Sequence, residues 1–195
     1  MKKDYLDSVI KQFLYYKMLG EKTFDQIPEE QLFLQHNPDS NSIATIVKHL
    51  AGNMLSRWTD FLTTDGEKSW RNRDGEFEND LGSKAEILRL WEEGWKVMLE
   101  TLSSLSDEDL DQIIYIRNQG HTVMEAINRQ LAHYPYHIGQ IVYIGKTLAS
   151  NWQSLSIPKG NSAEFNANKF AQDKHMGHFT DEFLDPADDK TSKNT

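Results

Sequence analysis

Two histidines four positions apart, His133 and His137, stand in the run Gln130-Leu131-Ala132-His133-Tyr134-Pro135-Tyr136-His137-Ile138-Gly139-Gln140. On a helix this spacing puts both imidazoles on one face, about one turn apart. At that reach two ring nitrogens can share one metal ion at roughly 2.0–2.1 Å each. With seven histidines in 195 residues, the pair alone is weak evidence, because such spacings also arise by chance. His49 adds context. It lies in Ile43-Ala44-Thr45-Ile46-Val47-Lys48-His49-Leu50-Ala51-Gly52-Asn53, an amphipathic stretch that would form a different helix. Three histidines from two helices make a metal site with open coordination positions; the alternative is three hydrogen-bonded core histidines. Asn53 and Gln140, one turn from His49 and His137, are candidates to orient a ligand ring or a bound water, or else ordinary helix-face amides.

Other chemistry is weakly represented. Asp74-Gly75-Glu76-Phe77-Glu78-Asn79-Asp80 is an acidic run without the ladder of a calcium loop. It reads as a solvated loop placed to rim a pocket mouth. His36, His121, His175 and His178 fall in predicted loops or element ends and read as surface residues. No Gly-x-Ser-x-Gly elbow and no glycine-rich phosphate loop is present. The chain has no cysteine, which excludes disulfides, thiolate ligands and a cysteine nucleophile. Any thiol in a reaction must therefore come from a cosubstrate.

Four amphipathic segments must position these residues. The first covers about 4–26, with Leu6, Val9, Ile10, Phe13, Tyr16, Gly20, Phe24 and Ile27 near one stripe and Pro28 as a stop. The second, about 42–62, follows the cap-rich string Asn37-Pro38-Asp39-Ser40-Asn41-Ser42 and buries Ile43, Ile46, Val47, Leu50, Met54, Trp58 and Phe61. After a polar loop from Thr63 to Gly82, the third, about 84–104, opens with a capping box at Ser83–Glu86. Its stripe is Ile87, Leu88, Trp91, Trp95, Met98, Leu99 and Leu102. The fourth, about 121–149, has the seam Ile127, Leu131, Tyr134, Ile138, Ile141, Gly145 and Leu148 beside a row of Gln130, His133, His137, Gln140 and Ile144. An apolar helix with a polar inward row is a central helix with something polar to hold. Between the third and fourth, Gln112–Arg117 alternates as a short extended segment. The tryptophans Trp58, Trp91 and Trp95 read as core.

The expected fold class is all-α, an antiparallel four-helix bundle with an irregular C-terminal extension. Residues 1–150 form the bundle. Residues 151–183, carrying Trp152, Phe165, Phe170, Phe179 and Phe183, drape over the bundle or a partner subunit. Residues 184–195 form a flexible acidic tail. A net charge of −9 argues against nucleic acid. No apolar run approaches the length needed to span a bilayer, so no membrane association is expected. The N-terminus shows no secretory signal, and with no cysteines the chain is expected in the cytoplasm.

Several blocks carry a family resemblance. His49-Leu50, Trp58 nine residues on, and His133 with His137-Ile138-Gly139-Gln140 resemble the DinB-like superfamily. Asn41-Ser42-Ile43-Ala44, Ile127 to Tyr134, and Leu155-Ser156-Ile157-Pro158-Lys159-Gly160 resemble its YfiT-type branch, often labelled metal-dependent hydrolases. The resemblance covers about residues 1–170. It implies a four-helix bundle, commonly dimeric, with a divalent metal, nickel or zinc, held by His49, His133 and His137. Characterised members include bacillithiol-using thiol S-transferases, mycothiol-dependent isomerases and glutathione-linked enzymes. The implied function is metal-dependent activation of a low-molecular-weight thiol or water for attack on a small-molecule electrophile. The alternative is a non-catalytic, metal-binding or structural helical protein. The resemblance and the aromatic extension together suggest a homodimer. One residue departs from the pattern: Pro135 lies between the two histidines. A proline inside a helix removes a backbone hydrogen bond and predicts a kink there, which would turn His137 relative to His133.

Overall fold

The computed structural model describes residues 3–184 except residue 168. From residue 185 onward, the acidic tail lies outside the described residues. Four long helices carry the fold: α1 (Lys3–Phe24), α2 (Ile43–Trp58), α3 (Lys84–Ser104) and α4 (Val123–Leu148). A small hairpin of β1 (Ile113–Ile116) and β2 (Gln119–Thr122) separates α3 from α4, and a short α5 (Ser162–Asn166) follows. Single 3-10 turns occur at Glu29–Phe33, Asp74–Phe77, Asp109–Asp111 and Phe179–Glu182. None of the described helices is long and apolar enough to cross a membrane.

The helix starts follow from local chemistry. Ser42 accepts the Thr45 N–H at 3.1 Å and begins α2, satisfying a donor that has no partner inside the helix. Ser83 does the same for α3 with the Glu86 N–H at 3.3 Å. The Glu86 carboxylate returns to the Gly82 N–H at 2.8 Å rather than to Ser83, so the expected reciprocal box does not close there. It closes at Thr122 and Glu125 instead, which start α4. Residues 121–122, expected as the first turn of the fourth helix, are therefore strand: β2 pairs antiparallel with β1, Ile113 facing Thr122 and Ile116 facing Gln119.

The helices share one apolar core, with α2 against α3 and α4, and α1 against α4 and α3. Trp58, Trp91 and Trp95 are buried in it with Phe13, Phe24 and Tyr134. Burying such rings supplies much of the folding drive. Leu88, expected on the buried stripe of α3, is exposed, and Leu99 is half-buried. Ile114 and Ile116 of β1 turn inward, while Ile113 and Tyr115 face out. Beyond α4, Phe179 and Phe183 meet Tyr15 of α1 at ring separations of 5.6 and 5.5 Å, and the His178 ring lies 2.9 Å from the Ser8 hydroxyl.

Two features fix what the core presents. Pro135 sits inside α4 without interrupting it, so the residues on either side stay in one continuous helix. A buried hydrogen-bond chain then ties α4 to α2: the Trp58 indole N–H donates to the Tyr134 hydroxyl at 3.0 Å, and that hydroxyl donates to Asn53 Oδ1 at 3.0 Å. This chain sets the rotation of α4, because Tyr134, the neighbour of His133 in sequence, points into the core. Replacing Tyr134 by Phe leaves a buried donor and a buried acceptor unpaired. Denaturant unfolding of Tyr134→Phe should show a loss of about 1–3 kcal/mol with helical circular dichroism retained; an unchanged midpoint would show that the chain does not bind the two helices together.

Candidate metal centre

The three imidazoles meet across the α2–α4 contact. His49 Nε2 lies 3.4 Å from His133 Nε2, which lies 3.2 Å from His137 Nε2. One ring nitrogen from each of the three lies within 4.8 Å of the others. His49 is buried, and His133 and His137 are half-buried. Among the described residues, only these three of the chain's histidines and acidic residues gather in this way. His178 instead serves the C-terminal segment, its ring against Ser8 and Thr180.

The opposite nitrogen of each ring has a partner. His49 Nδ1 is 2.9 Å from Glu76 Oε2, His133 Nδ1 is 3.2 Å from Gln130 Oε1, and His137 Nδ1 is 2.9 Å from Gln140 Oε1. A carboxylate or an amide oxygen only accepts, so each Nδ1 carries the proton and donates it. A neutral imidazole held this way keeps its bare lone pair on Nε2, and the three Nε2 atoms face one another. Gln140 thus orients its histidine. Asn53 does not; its oxygen accepts from Tyr134 instead.

Glu76 is the residue the sequence reading missed. The acidic run expected as a solvated loop folds inward there, and Glu76 is 6% exposed. Arg71 grips its carboxylate in a fork, Nε to Oε1 at 2.8 Å and Nη2 to Oε2 at 2.9 Å. Burial alone would raise the Glu76 pKa, but the hydrogen bonds from His49 and Arg71 outweigh it and hold the carboxyl below its usual range. The carboxylate lies over Gly52 on α2, where a Cβ would come within 2.2 Å of Oε1. A glycine in mid-helix costs about 1 kcal/mol against alanine. That glycine, on a strongly apolar helix, was the one signal in the sequence of a close approach.

Three convergent lone pairs repel one another unless a cation lies between them. A proton fits poorly: burial above all, then the His137 and His49 rings and the Arg129 and Arg57 charges, lower the His133 pKa to about 3. His137 is also lowered, by burial and by His49, against the opposing hydrogen bond to Gln140. A metal ion fits well. Two nitrogens at 2.0–2.1 Å from one ion at a tetrahedral angle stand about 3.3 Å apart, close to the 3.2 and 3.4 Å observed. Neutral imidazoles with the second nitrogen hydrogen-bonded are the donor set that zinc and nickel accept. The trio faces a cavity of about 350 Å³, whose walls include Asn53, Gln130 and Phe77 as well as Arg57, Arg71, Arg73, Arg117 and Arg129. Phe77 stacks on the His49 ring at 4.8 Å.

Residues 1–161 match the family described as "Protein of unknown function (DUF1572)". The chain belongs to this family. No curated protein and no solved structure matches it. Within this DUF1572 chain, the matched stretch contains all three histidines, Glu76 and every arginine of the cavity, and ends before the segment that docks on α1.

The depressed His133 pKa has a consequence for folding. Between about pH 6.5 and pH 3 the unfolded chain takes up a proton at this residue that the folded chain refuses. The stability it contributes is complete above pH 6.5 and declines as the pH falls toward 3. Melting of the metal-free protein in chelator should therefore drop steadily from pH 7 to pH 4, and less steeply in His133→Gln. Parallel curves for the two proteins would overturn the neutral assignment.

Proposed function

We propose that His49, His133 and His137 hold one divalent metal ion, nickel or zinc, and that the site is that of an enzyme directing a low-molecular-weight thiol or a water against a small electrophile. The observation that carries this reading is the set of contacts in which Glu76, Gln130 and Gln140 each accept from an Nδ1–H, which leaves three Nε2 lone pairs converging. Bound there, the ion would supply Lewis acidity that brings the pKa of a thiol or water toward neutrality. Among the described residues no fourth histidine or carboxylate joins the three. Such a three-residue set, unlike a closed four-ligand structural site, leaves room for an exogenous partner. The chain has no cysteine, so the thiol is a cosubstrate. Its sulfur would form the new S–C bond as a halide leaves or an epoxide C–O bond opens, and the side chains lining the cavity would orient both reactants.

The family match carries no activity by itself. The DinB-like pattern around His49, Trp58 and His133–Gln140 supports placing the chain in that superfamily, with residues 1–150 as a four-helix bundle and a homodimeric, cytoplasmic protein. Light scattering at micromolar concentration tests the dimer, and a monomer would count against it.

Tag-free protein should bind one divalent ion per chain, and His49→Ala and His133→Ala should each lose most of it. Gly52→Ala touches no ligand, yet its methyl displaces Glu76; metal affinity should fall by about 10- to 100-fold, the usual cost of losing a partner that orients a ligand. Unaltered affinity in all three variants would overturn the site. Metal-loaded protein should also accelerate attack of glutathione or bacillithiol on a halogenated aromatic or an epoxide, with His137→Ala inactive and Gln140→Ala slowed. Equal rates with and without metal, for every thiol, would overturn the enzyme reading and leave a non-catalytic metal-binding helical protein.

A further inference from the structure

The chain contains six arginines, and five of them, Arg57, Arg71, Arg73, Arg117 and Arg129, line the cavity beside the three histidines. Among the described residues, no lysine does. In a chain of net charge −9 this is a local inversion of sign. Arginine presents a planar fork of donors that fits a carboxylate or phosphate, whereas lysine offers a point charge. The sorting of one cation type into one cavity therefore points to a ligand with a planar or tetrahedral oxyanion.

The protein's own carboxylates do not neutralise the group. Arg71 is matched by Glu76 and Glu67, and Arg117 reaches Glu67 at 3.3 Å. Arg73 lies over the Phe77 ring at 5.3 Å. Arg57 is the decisive member. It is only 3% exposed, yet its Nε and Nη1 have no hydrogen-bond partner among the described residues. A buried guanidinium with no matched negative charge is costly, and its side chain lines the cavity in which a ligand's anionic group could offset that charge. Burial first, then Arg129 and Arg71 nearby, depress its pKa against the pull of Tyr134 and Glu67; an anion in the cavity would remove that penalty.

Backbone geometry holds the fourth arginine in place. Arg117 and Asn118 form the two-residue turn of the hairpin with φ of 55° and 60°, a left-handed conformation uncommon for residues other than glycine. The Asp65 carboxylate accepts both of their N–H groups, at 2.9 and 2.8 Å. The turn is thereby pinned to the loop that also carries Arg71 and Arg73.

We propose that this cavity binds a small molecule through a carboxylate or phosphate group, with the Arg57 guanidinium as buried anchor and Arg129, Arg73 and Arg117 at its rim. The proposal rests on the reading of the cavity as an active site, to which it adds the ligand class. It is tested by calorimetric titration of the full chain, metal-free and zinc-loaded, with succinate, with inorganic phosphate and with neutral succinamide. Zinc affinity is measured on the same samples. One anion should bind per chain in the metal-free protein, more weakly as salt rises, and succinamide should not bind. Succinate against phosphate decides which oxyanion the cavity prefers. Arg57→Gln should weaken the preferred anion at least about tenfold, the scale of a lost charge-assisted hydrogen bond, and Arg129→Ala severalfold. Should Arg57→Gln fail to fold, the exposed pair Arg129→Ala and Arg73→Ala decides. Binding of succinamide as tight as succinate, or undiminished anion affinity in the folded variants, would overturn the proposal. Zinc bound without any anion affinity would overturn it while sparing the metal reading; anion bound without zinc affinity would do the reverse.

Discussion

The site depends on one buried carboxylate. Glu76 accepts from His49 Nδ1 and from the Arg71 fork at the same time, and it can lie so close to α2 only because position 52 has no side chain. This one group fixes the tautomer and ring plane of His49, closes the loop of residues 63–82 over the helices, and neutralises the most buried side chain among the loop arginines. Removing one partner from such a buried ionic cluster leaves a charge without compensation and costs far more than an exposed pair is worth. The loop is therefore held by polar contacts at its centre rather than by a large apolar face. Its neighbouring anchors serve the same end: Ser42 Oγ donates to Asn79 Oδ1 at 2.7 Å, and Lys48 reaches Asp80.

The core supplies the other half of the positioning. His133 and His137 depend on the rotation of α4, and that rotation is set by Tyr134, fully buried in the core and hydrogen-bonded to both Trp58 and Asn53 of α2. The same pair of helices thus carries the apolar packing, the polar chain and the three imidazoles. A continuous α4 through Pro135 fits this arrangement: the tie at Tyr134 and the glutamines at 130 and 140 bracket the proline on both sides, so the histidine pair converges despite the missing backbone donor.

Periodicity and caps made much of the helical architecture legible in the sequence. The i, i+3, i+4 rows of α2 and α4 name their buried residues well, and Ser42 and Ser83 mark two starts. The gathering of His49, His133 and His137 was legible for the same reason, because all three lie on regular elements with a definite face. What escaped came from closure of irregular chain. An acidic heptad that looks solvated contributes a buried carboxylate, since nothing local reveals that a loop will fold back on a glycine twenty-four residues earlier in the chain. Asn53, one turn from His49, is drawn to Tyr134 by a contact between residues 81 apart in sequence. The start of α4 was missed by two residues because hairpin pairing with residues 113–116 outcompeted a helical first turn.

The arginines show the same limit more sharply, and they also explain how the loop and hairpin combine. Positions 57, 71, 73, 117 and 129 have no common spacing; they belong to α2, the loop, the hairpin turn and α4. Like charges brought together repel, so an arrangement of five must be imposed by stronger constraints elsewhere. Here those are the Glu76 cluster, which places Arg71, and the Asp65 clamp, which holds Arg117 in a left-handed turn. Both devices spend protein carboxylates on positioning the rim rather than on neutralising Arg57 at its base. A fold that wanted only stability would pair that guanidinium or replace it with an apolar side chain of similar volume. Its retention, unpaired and buried in the same cavity as three converging lone pairs, leaves electron-pair donors and a cationic side chain side by side, an arrangement complementary to a metal ion and an anionic group bound next to each other.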